Sequence, residues 1–433
     1  MTVLHGWGRY PLCESRVRMP ASHAELRAAL GAADGQPMIA RGLGRSYGDS
    51  SLAPTVFSSL SRGMLLEFDT ERGLLRCEAG ASLADILAVI VPRGWFLPVT
   101  PGTRFVTAGG AVASDVHGKN HHVDGCFSAH VTELELMLAD GSVVHCAADR
   151  NPELFHATCG GMGLTGIILS VQLRLRKIES ALIAQHTFKA RSLQHAFELF
   201  EQESAATYSV AWIDCVASGR QLGRSLLMTG EHAGPGALAP ATARPIAVPA
   251  DLPAWLLNRR TVGAFNSLYF HLPRTADALV HYEKFFYPLD RLLQWNRLYG
   301  RNGFLQYQFV LPLEAGAAGM QKILSRISAS GRGSFLAVLK RLGARNANFL
   351  SFPMAGYTLA LDFKMEDGVL DLMNELDAMV SGQGGRLYLA KDSRMSAQTF
   401  RRGYPDWEKL QEARANHGAA GRFASLQSER IRL

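Results

Sequence analysis

The hydrophobic positions in the N-terminal part of the chain fall into short runs that glycine-rich turns separate. Four of these runs predict strands, because they are aliphatic and bounded by Gly or Asp: "PMIARG", "MLLEFD", "LLRCEAG" and "GIILSVQLRLRKI". Two segments predict helices instead. In "SLADILAVIVPRGW", Ser82 can cap a helix whose apolar residues recur at helical spacing, and "NPELFHATCGG" opens on Asn–Pro and ends at glycine.

The pattern changes from about residue 180 onward. Aromatic-rich strands such as "TYSVAWIDCV", "GFLQYQFVLPL" and "GYTLALDFKM" alternate with amphipathic helices such as "SLQHAFELFEQE" and "GMQKILSRISAS". This arrangement predicts an α+β fold with an antiparallel sheet and helices on one of its faces. Residues 230–253 are rich in Ala, Pro and Gly without periodicity, and we interpret them as a mobile loop.

Length and charge bound the class of protein. A chain of 433 residues is too long for one small core and indicates two or three domains. The 47% of hydrophobic residues is typical of a globular protein with a buried interior. The formal charge of +7 favours anionic partners such as phosphates or an acidic membrane surface. The basic residues are scattered rather than clustered, so we expect no nucleic acid partner.

The cysteines, the histidines and the absence of targeting signals bear on the expected cellular location and on metal binding. Six cysteines without a CxxC pair are typical of reduced thiols in a cytoplasmic protein. We find no signal peptide and no apolar stretch long enough for a transmembrane helix, so the expected location is cytoplasmic, with peripheral contact at the inner membrane left open. His121 and His122 are adjacent, but no third ligand stands at useful spacing, so we expect no metal.

The stretch "ARGLGRSYGDSS" predicts a loop that holds a phosphate. Its glycines at 42, 44 and 48 give GxGxxxG, one residue longer than the dinucleotide fingerprint. Residues 49–63 hold Pro54 and several serines and predict no helix, so the Rossmann arrangement is excluded, and no GK[ST] follows for a P-loop. Backbone N–H groups of a loop can still bind phosphate without a helix. A non-redox nucleotide-binding module therefore remains one alternative.

Two further glycine-bearing segments accompany this loop. They read "PVTPGTRFVTAGGAVASDVHGKNHH" at 98–122 and "ATCGGMGLTGII" at 157–168. With the first loop, they resemble the PCMH-type FAD-binding domain of the vanillyl-alcohol-oxidase flavoprotein superfamily. The resemblance implies that the three segments converge on one FAD, where glycine lets the backbone approach the cofactor without an intervening Cβ.

A narrower resemblance covers nearly the whole chain. The motifs "RGLGRSYGD", "SDVHGKNHH", "GFLQYQFV", "LSFP" with "GYTLALDF", and "GGRLYLAKDSR" are similar to those of the decaprenylphosphoryl-β-D-ribose oxidase family. The family uses FAD to oxidise the ribose 2′-hydroxyl of a polyprenyl-phosphate sugar to a ketone, the first half of epimerisation to arabinose for the cell envelope. The resemblance thus implies a polyprenyl-phosphate sugar as substrate and an NAD(P)-dependent short-chain reductase as partner.

The resemblance also implies a domain organisation. We expect a PCMH-type FAD-binding domain at 1–178 and a substrate-binding domain with the antiparallel sheet at 179–385. A C-terminal segment at 386–433 should return to the FAD domain.

Site residues follow from the matched motifs. The resemblance implies FAD contacts from Ala40, Arg41, Gly42, Leu43, Gly44, Arg45, Ser46, Tyr47, Gly48, Asp49, Ser50, Gly102, Thr107, Ala108, Gly109, Gly110, His117, Gly118, Lys119, Asn120, Ile168 and Tyr388. The substrate would be bound by Lys119, Gln306, Gln308, Thr358, Ala360 and Lys391. Lys391 and His117 are the expected catalytic residues.

The roles of these residues have alternatives. Lys391 could take the hydroxyl proton as a base or stay charged beside a developing alkoxide, and its structural alternative is an exposed lysine paired with Asp392. His117 could donate to the flavin or shuttle a proton, and its alternative is a structural histidine bonded to the backbone. Gln306 and Gln308 alternate on a strand and so share a face, which suits sugar hydroxyls or an exposed polar surface.

Departures from related patterns qualify the assignment. Many covalent flavoproteins of the superfamily carry a histidine where this chain has Arg45, so we expect a non-covalent FAD. Ala360 stands where actinobacterial members commonly have Cys, and Thr358 stands where Asn is frequent. An aldonolactone or alditol oxidase of the same superfamily is the alternative enzyme.

Overall fold

The computed structural model describes residues 1–32, 36–239, 245–272 and 276–433. Its helices are α1 (His23–Gly31), α2 (Leu83–Ile90), α3 (Ala108–Ala113), α4 (His121–Asp124), α5 (Pro152–Thr158), α6 (Leu193–Gln202), α7 (Arg259–His271), α8 (Tyr282–Phe286), α9 (Gly316–Ser330), α10 (Val369–Ser381), α11 (Ala397–Gly403), α12 (Trp407–Asn416) and α13 (Leu426–Ile431). Within the described ranges, no helix combines the length and apolar character needed to cross a bilayer.

Two sheets form the N-terminal part of the molecule. The first has the order β1-β2-β4-β3, with strands β1 (Thr2–His5), β2 (Leu12–Arg18), β3 (Met38–Arg41) and β4 (Thr55–Ser58). The second is antiparallel with the order β5-β6-β10-β8-β9, built from β5 (Leu65–Asp69), β6 (Leu74–Glu78), β8 (Val131–Met137), β9 (Val143–Cys146) and β10 (Ile167–Arg174). Residues 49–63 contain strand β4 and no helix, as the sequence predicts.

The predicted helices of this part are confirmed. Helix α2 begins after Ser82, whose hydroxyl accepts a hydrogen bond from the amide of Asp85. Its buried residues pack with β6, β8 and β10 in one apolar core. Helix α5 follows Asn151 with Pro152 in its first turn, where the missing N–H of proline costs nothing.

An antiparallel sheet of eight strands dominates the rest of the chain, in the order β16-β12-β14-β13-β19-β20-β18-β21. Its strands are β12 (Leu182–Ala190), β13 (Tyr208–Ile213), β14 (Ser225–His232), β16 (Asp277–His281), β18 (Phe304–Pro312), β19 (Ala337–Leu342), β20 (Gly356–Lys364) and β21 (Arg386–Leu387). Helices α6, α9 and α10 pack on one face. The prediction of an α+β fold with a helix-covered antiparallel sheet is therefore confirmed.

Side-chain alternation gives this sheet two unlike faces. One set of residues packs with the helices in the apolar core: Leu305, Tyr307, Phe309, Ala337, Leu339, Leu359, Leu361 and Phe363. Their strand neighbours point to the opposite side, which we call the open face: Gln306, Gln308, Val338, Lys340, Thr358, Ala360 and Asp362. The open face is the surface on which the site is built.

Two short pairs complete the strands, namely β7 (Trp95–Phe96) with β11 (Arg176–Lys177) and β15 (Ile246–Ala247) with β17 (Leu292–Leu293). The interpretation of 230–253 as a mobile loop falls in part on residues 240–244, which lie outside the described residues. Strand β15 lies in the described part of that segment and runs parallel to β17.

The C-terminal segment contacts the N-terminal sheet. The amide of Met38 on β3 donates to the carbonyl of Arg422 at 3.0 Å, and the amide of Ala424 donates back to Met38 at 3.0 Å. Helix α13 reaches the first glycine loop, where Arg430 pairs with Asp49. The expected domain limits at 178 and 385 stay predictions, although the strands of the large sheet lie between Leu182 and Leu387.

Candidate active site

A cavity of about 860 Å³ separates the glycine-bearing loops from the open face of the large sheet. Its loop side includes Gly42, Thr107 and Gly163, one residue from each of the three glycine-bearing segments. Its sheet side includes Gln306 and Gln308. The cavity therefore lies between the two parts of the chain that the sequence predicts to bind cofactor and substrate.

The three glycine segments touch one another. A Cβ built on Gly42 would come within 2.3 Å of the hydroxyl oxygen of Thr107, so the first loop packs directly on the second. The third segment packs on helix α3, because Gly160 and Met162 donate backbone hydrogen bonds to Val112 and Ala113. The convergence that the motifs imply is present in the fold.

The first loop is held by backbone contacts on both sides. The amide of Trp7 donates to the carbonyl of Ser46, and the amide of Tyr47 donates to Ala390. At Gly48 a Cβ would lie 1.8 Å from the carbonyl oxygen of Asp392, a contact that only glycine permits. The chain next to Lys391 is thus pressed against the glycine loop.

Positive charge dominates the cavity wall. Its basic residues are Arg41, Arg45, Arg62, Lys119, Lys284, Lys340 and Lys391, whereas Asp290 is the sole carboxylate among the described residues that line it. Arg45 stacks its guanidinium 4.0 Å from the ring centre of Trp7 and has no ion pair among the described residues. Such a wall suits an anionic ligand like the pyrophosphate of FAD.

Helix α3 presents the second loop to the cavity. The hydroxyl of Thr107 caps this helix by accepting from the amide of Gly110. The amide of Gly109 donates to the carbonyl of Ala79 at 2.9 Å. A Cβ on Gly109 would meet that of Ala79 at 2.8 Å, so the helix lies close to strand β6 and leaves room in front of it.

His117 lies between the second loop and the open face. The amide of Gln308 donates to Nε2 at 3.0 Å, which leaves the proton of the neutral ring on Nδ1. Nδ1 is buried and has no partner among the described residues. Burial first, then the charge of Lys340, the neighbouring His121 and Lys391, lowers the pKa of His117 well below its usual range. A buried donor without a partner calls for an acceptor, and a flavin ring offers several.

FAD fits these residues. The glycine backbone of two touching loops, the basic wall and the unpartnered Nδ1 of His117 together provide for the pyrophosphate and the ring system of the cofactor. Arg41 and Arg45 would hold the pyrophosphate end, and His117 would face the ring.

Lys391 lies in the motif "GGRLYLAKDSR", shortly after strand β21. Its Nζ lies 3.8 Å from the ring centre of Tyr47, inside the cavity. Burial lowers the pKa of Lys391 to about 7, with Lys340 lowering and Asp362 raising it. Asp392 pairs with Arg430 instead, so the alternative of an exposed Lys391 paired with Asp392 is wrong.

Asp362 is a buried carboxylate that the sequence reasoning missed. It accepts hydrogen bonds from the hydroxyl of Tyr299 at 3.0 Å and from the amide of Gln306 at 2.7 Å. Burial raises the pKa of Asp362 to about 7, against the opposing effect of Gln306 and Tyr299. The carboxylate orients Gln306 and lies close enough to Lys391 to influence its charge.

Two further lysines line the cavity. Burial and the charge of Lys340 lower the pKa of Lys119 to about 7, and burial lowers the pKa of Lys340 to about 8. Nζ of Lys119 donates to the carbonyl of Phe285 and lies 4.3 Å from the centre of that ring. Lys340 was also missed, although its place in the apolar strand "FLAVLKRL" marks it as a charge among buried residues.

Most of the predicted site residues line the cavity. They are Ala40, Arg41, Gly42, Leu43, Gly44, Arg45, Ser46, Tyr47, Ser50, Gly102, Thr107, Gly109, Gly110, His117, Gly118, Lys119, Ile168, Gln306, Gln308, Ala360, Tyr388 and Lys391. The structure brings these side chains and backbone segments together. Their individual roles stay predictions.

Five predicted residues lie behind the wall instead: Gly48, Asp49, Ala108, Asn120 and Thr358. Asp49 pairs with Arg430, and Asn120 donates to the carbonyl of Pro98 at 2.7 Å. The hydroxyl of Thr358 donates to the carbonyl of Phe309 at 2.8 Å. These residues support the wall. His121 and His122 bond to Gly343 and Ala206, and no cluster of potential metal ligands occurs among the described residues.

The sequence is similar to an FAD-binding family and to two named oxidases. Residues 15–147 match a family model described as an FAD binding domain. The decaprenylphosphoryl-beta-D-ribose oxidase of Mycolicibacterium smegmatis is 37% identical over 448 aligned residues, 99% of this chain and 97% of the relative. The L-gulonolactone oxidase of Bos taurus is 31% identical over 174 residues, 39% of each chain.

A solved structure with a similar fold is the BBE-like 1 protein of Physcomitrella patens. It superposes with a TM-score of 0.68 at 14% identity and covers 98% of this chain and 96% of its own. The family model and this neighbour confirm the prediction of a PCMH-type FAD-binding fold. Together with the relative that matches nearly end to end, they show that this chain is an FAD-dependent oxidoreductase and belongs to the decaprenylphosphoryl-β-D-ribose oxidase family.

Proposed function

We propose that this protein oxidises the 2′-hydroxyl of ribose in a polyprenylphosphoryl-β-D-ribose, giving the 2-keto sugar as the first half of epimerisation to arabinose. The end-to-end similarity to an oxidase named for that substrate supports the proposal. The L-gulonolactone oxidase, which represents the alternative reaction, matches over only 39% of the chain.

The observation that carries the proposal is the meeting of Lys391, Gln306 and Gln308 opposite His117. Two amides on one face can hold the hydroxyls of a sugar: Gln308 keeps its carbonyl oxygen as an acceptor, because its two N–H groups bond to His117 and Thr358, and only one N–H of Gln306 is bonded to Asp362. Asp362 fixes the amide of Gln306, and His117 accepts from that of Gln308. The polar end of the cavity is therefore preorganised for a polyhydroxylated ring.

Oxidation of the alcohol removes a hydride from the carbinol carbon and a proton from the hydroxyl. The chemistry that FAD supplies when bound is acceptance of that hydride. Lys391 takes the hydroxyl proton onto Nζ, because burial keeps part of its amine neutral near pH 7. Tyr47 stacks beneath Nζ and holds the amine at the polar end of the cavity.

The cavity continues from the polar end along an apolar wall. Val210, Trp212 and Met228 line this part on strands β13 and β14, and Phe265 and Val280 close it from other elements. Such a surface favours an apolar chain attached to the sugar, whereas a free polyol or lactone would leave it unused.

The proposal has consequences for partners. A 2-keto sugar becomes arabinose only when a second enzyme delivers a hydride to its opposite face, which fits an NAD(P)-dependent short-chain reductase. A polyprenyl substrate resides in a bilayer, so we also propose peripheral contact with the membrane, without a spanning helix in the described chain.

Anaerobic reduction of the bound flavin distinguishes the substrates. The protein should lose its visible flavin bands with a polyprenylphosphoryl-β-D-ribose and keep them with ribitol or L-gulonolactone at equal concentration. Bleaching by L-gulonolactone alone would transfer the assignment to the lactone oxidases. A colourless protein that cannot be reconstituted with FAD would contradict the whole proposal.

A further inference from the structure

Lys119 and Lys340 line one part of the cavity without a carboxylate partner. Arg41 and Arg45 of the first glycine loop also line the cavity and would serve the pyrophosphate of FAD, which leaves the charges of the two lysines for another group. Lys340 has no hydrogen bond and no ion pair among the described residues. Lys119 donates only to the carbonyl of Phe285.

Strand geometry directs Lys340 into the cavity. Val338 and Lys340 alternate with the buried Ala337 and Leu339 on strand β19, so both belong to the open face and line the cavity. Across the ladder, Lys340 faces Thr358, whose hydroxyl is already bonded to the carbonyl of Phe309. The ammonium group is therefore available to a ligand.

Lys119 approaches the same place from the second glycine loop. Its carbonyl accepts from the amide of Ser209 at the start of strand β13, at 2.9 Å. Because Ala211 pairs with Leu339, strand β13 runs next to strand β19 at this level. The two lysines are close enough for the charge of Lys340 to lower the pKa of Lys119.

The nearby titratable groups do not neutralise the positive charge of Lys119 and Lys340. Asp362 is bound by Tyr299 and Gln306 and interacts with Lys391. Asp290 accepts from the amide of Arg104 at 2.8 Å. Burial lowers the pKa of His117 and that of His121, so neither histidine adds or cancels charge near pH 7.

The order of strands matches the order of groups along the proposed substrate. Gln306 and Gln308 lie on β18, Ala360 lies on β20, Lys340 lies on β19, and the apolar wall follows on β13 and β14. Strands β18 and β19 are two spacings apart, roughly 10 Å. That span has room for a ribose ring and the phosphate that links it to the lipid.

We propose that Lys119 and Lys340 form a subsite for the phosphate of a phosphorylated, isoprenoid-linked sugar. This inference rests on the proposed function and adds to it a reason for choosing phosphorylated substrates. The two ammonium groups donate to the phosphate oxygens, with the sugar toward Lys391 and the lipid toward Trp212.

The test compares matched ligands with and without phosphate. The half-saturating concentration for anaerobic flavin reduction is measured with farnesylphosphoryl-β-D-ribose and with neutral farnesyl β-D-riboside. Lys340→Met should raise it about tenfold or more for the phosphorylated ligand and leave it unchanged for the neutral one. The control Lys189→Met, an exposed lysine of the same sheet, should match the unmodified protein with both ligands.

Equal loss with both ligands would overturn the inference, because the lysine would then act on the flavin or the fold. A second readout is independent of the sugar: farnesyl phosphate and farnesol perturb the flavin absorbance on binding. Lys340→Met should weaken binding of farnesyl phosphate and spare farnesol. If farnesyl phosphate binds as predicted but the ribose ligand does not reduce the flavin, the proposed function fails and the subsite stands.

Discussion

Lys391 is surrounded by groups that make its charge easy to change. Burial and Lys340 disfavour the ammonium form, whereas Asp362 favours it. The balance brings the pKa of Lys391 to about 7, so both forms exist at neutral pH. A residue of this kind can take a proton in one step and release it later.

Replacement of Lys391 tests this role. Lys391→Met should retain FAD, because the proposed pyrophosphate and ring contacts would come from other residues, and should slow flavin reduction by about 10²- to 10⁴-fold. The measurement is rapid mixing with substrate under anaerobic conditions. Lys391→Arg keeps a charge but no available base. A variant Lys391→Met with undiminished reduction would remove this lysine from the mechanism.

The pH profile separates the two roles that the sequence leaves open for Lys391. The neutral amine increases above the pKa of about 7, so a base predicts a rate of reduction that rises about tenfold from pH 6 to pH 8. A charged stabiliser of an alkoxide predicts a fall over the same range. Asp362→Asn removes a group that raises the pKa of Lys391 and should therefore move the profile to lower pH.

Individual site residues can be predicted from the sequence when they lie in motifs, but not when their role depends on contacts with residues distant in the chain. Lys391, His117 and the two glutamines follow from the family motifs and line the cavity. Asp362 lies in a predicted strand, but strand alternation alone does not tell which face of a sheet is open. Its role depends on Tyr299, which is far away in sequence.

The first glycine loop depends on the C-terminal helix. Arg430 of α13 donates two hydrogen bonds to Asp49 and one to Asp392, and both carboxylates are almost fully buried. It therefore ties the loop that would hold the pyrophosphate to the segment that carries Lys391. Asp49 was predicted to contact FAD, but its place behind the wall makes it an anchor for the loop.

Removal of this anchor should loosen the cofactor. Arg430→Met removes the cation that bonds to both buried carboxylates, which should cost on the order of 3 kcal/mol of unfolding free energy. The dissociation constant of FAD should rise as well. Thermal unfolding and FAD titration measure the two effects.

The matched control is Arg326→Met, which breaks an exposed pair with Glu375. This change should leave the melting temperature and the affinity for FAD nearly unchanged. If Arg430→Met were as harmless as the control, the C-terminal helix would not hold the loop.

The elements were more predictable than their arrangement. Local signals such as the cap at Ser82, the Asn–Pro start of α5 and the aromatic strands gave elements that the structure confirms. The order of the eight-stranded sheet has little local signal, because β13 with β14 and β19 with β20 are the only neighbours in it that follow each other among the described strands. Strand β21, for example, pairs with β18 across more than seventy residues.

The cavity is lined by segments that are far apart in the sequence. The loops come from the N-terminal sheets, the wall comes from the large sheet, and the C-terminal segment joins the two. The family motifs predict FAD and the residues near it. Lys340 and the apolar wall are brought to the cavity by the assembled strands, and we propose that they receive the phosphate and the lipid of the substrate.

Deuterium at a single carbon of the ribose reports which C–H bond breaks when the flavin is reduced. The protein is mixed anaerobically with polyprenylphosphoryl-β-D-ribose carrying deuterium at either C2 or C3 of the ribose, and the rate of flavin reduction is followed. Oxidation of the 2′-hydroxyl should give severalfold slower reduction with deuterium at C2 and an unchanged rate with deuterium at C3. Slowing only at C3, or no reduction of the flavin with either sugar, would contradict it.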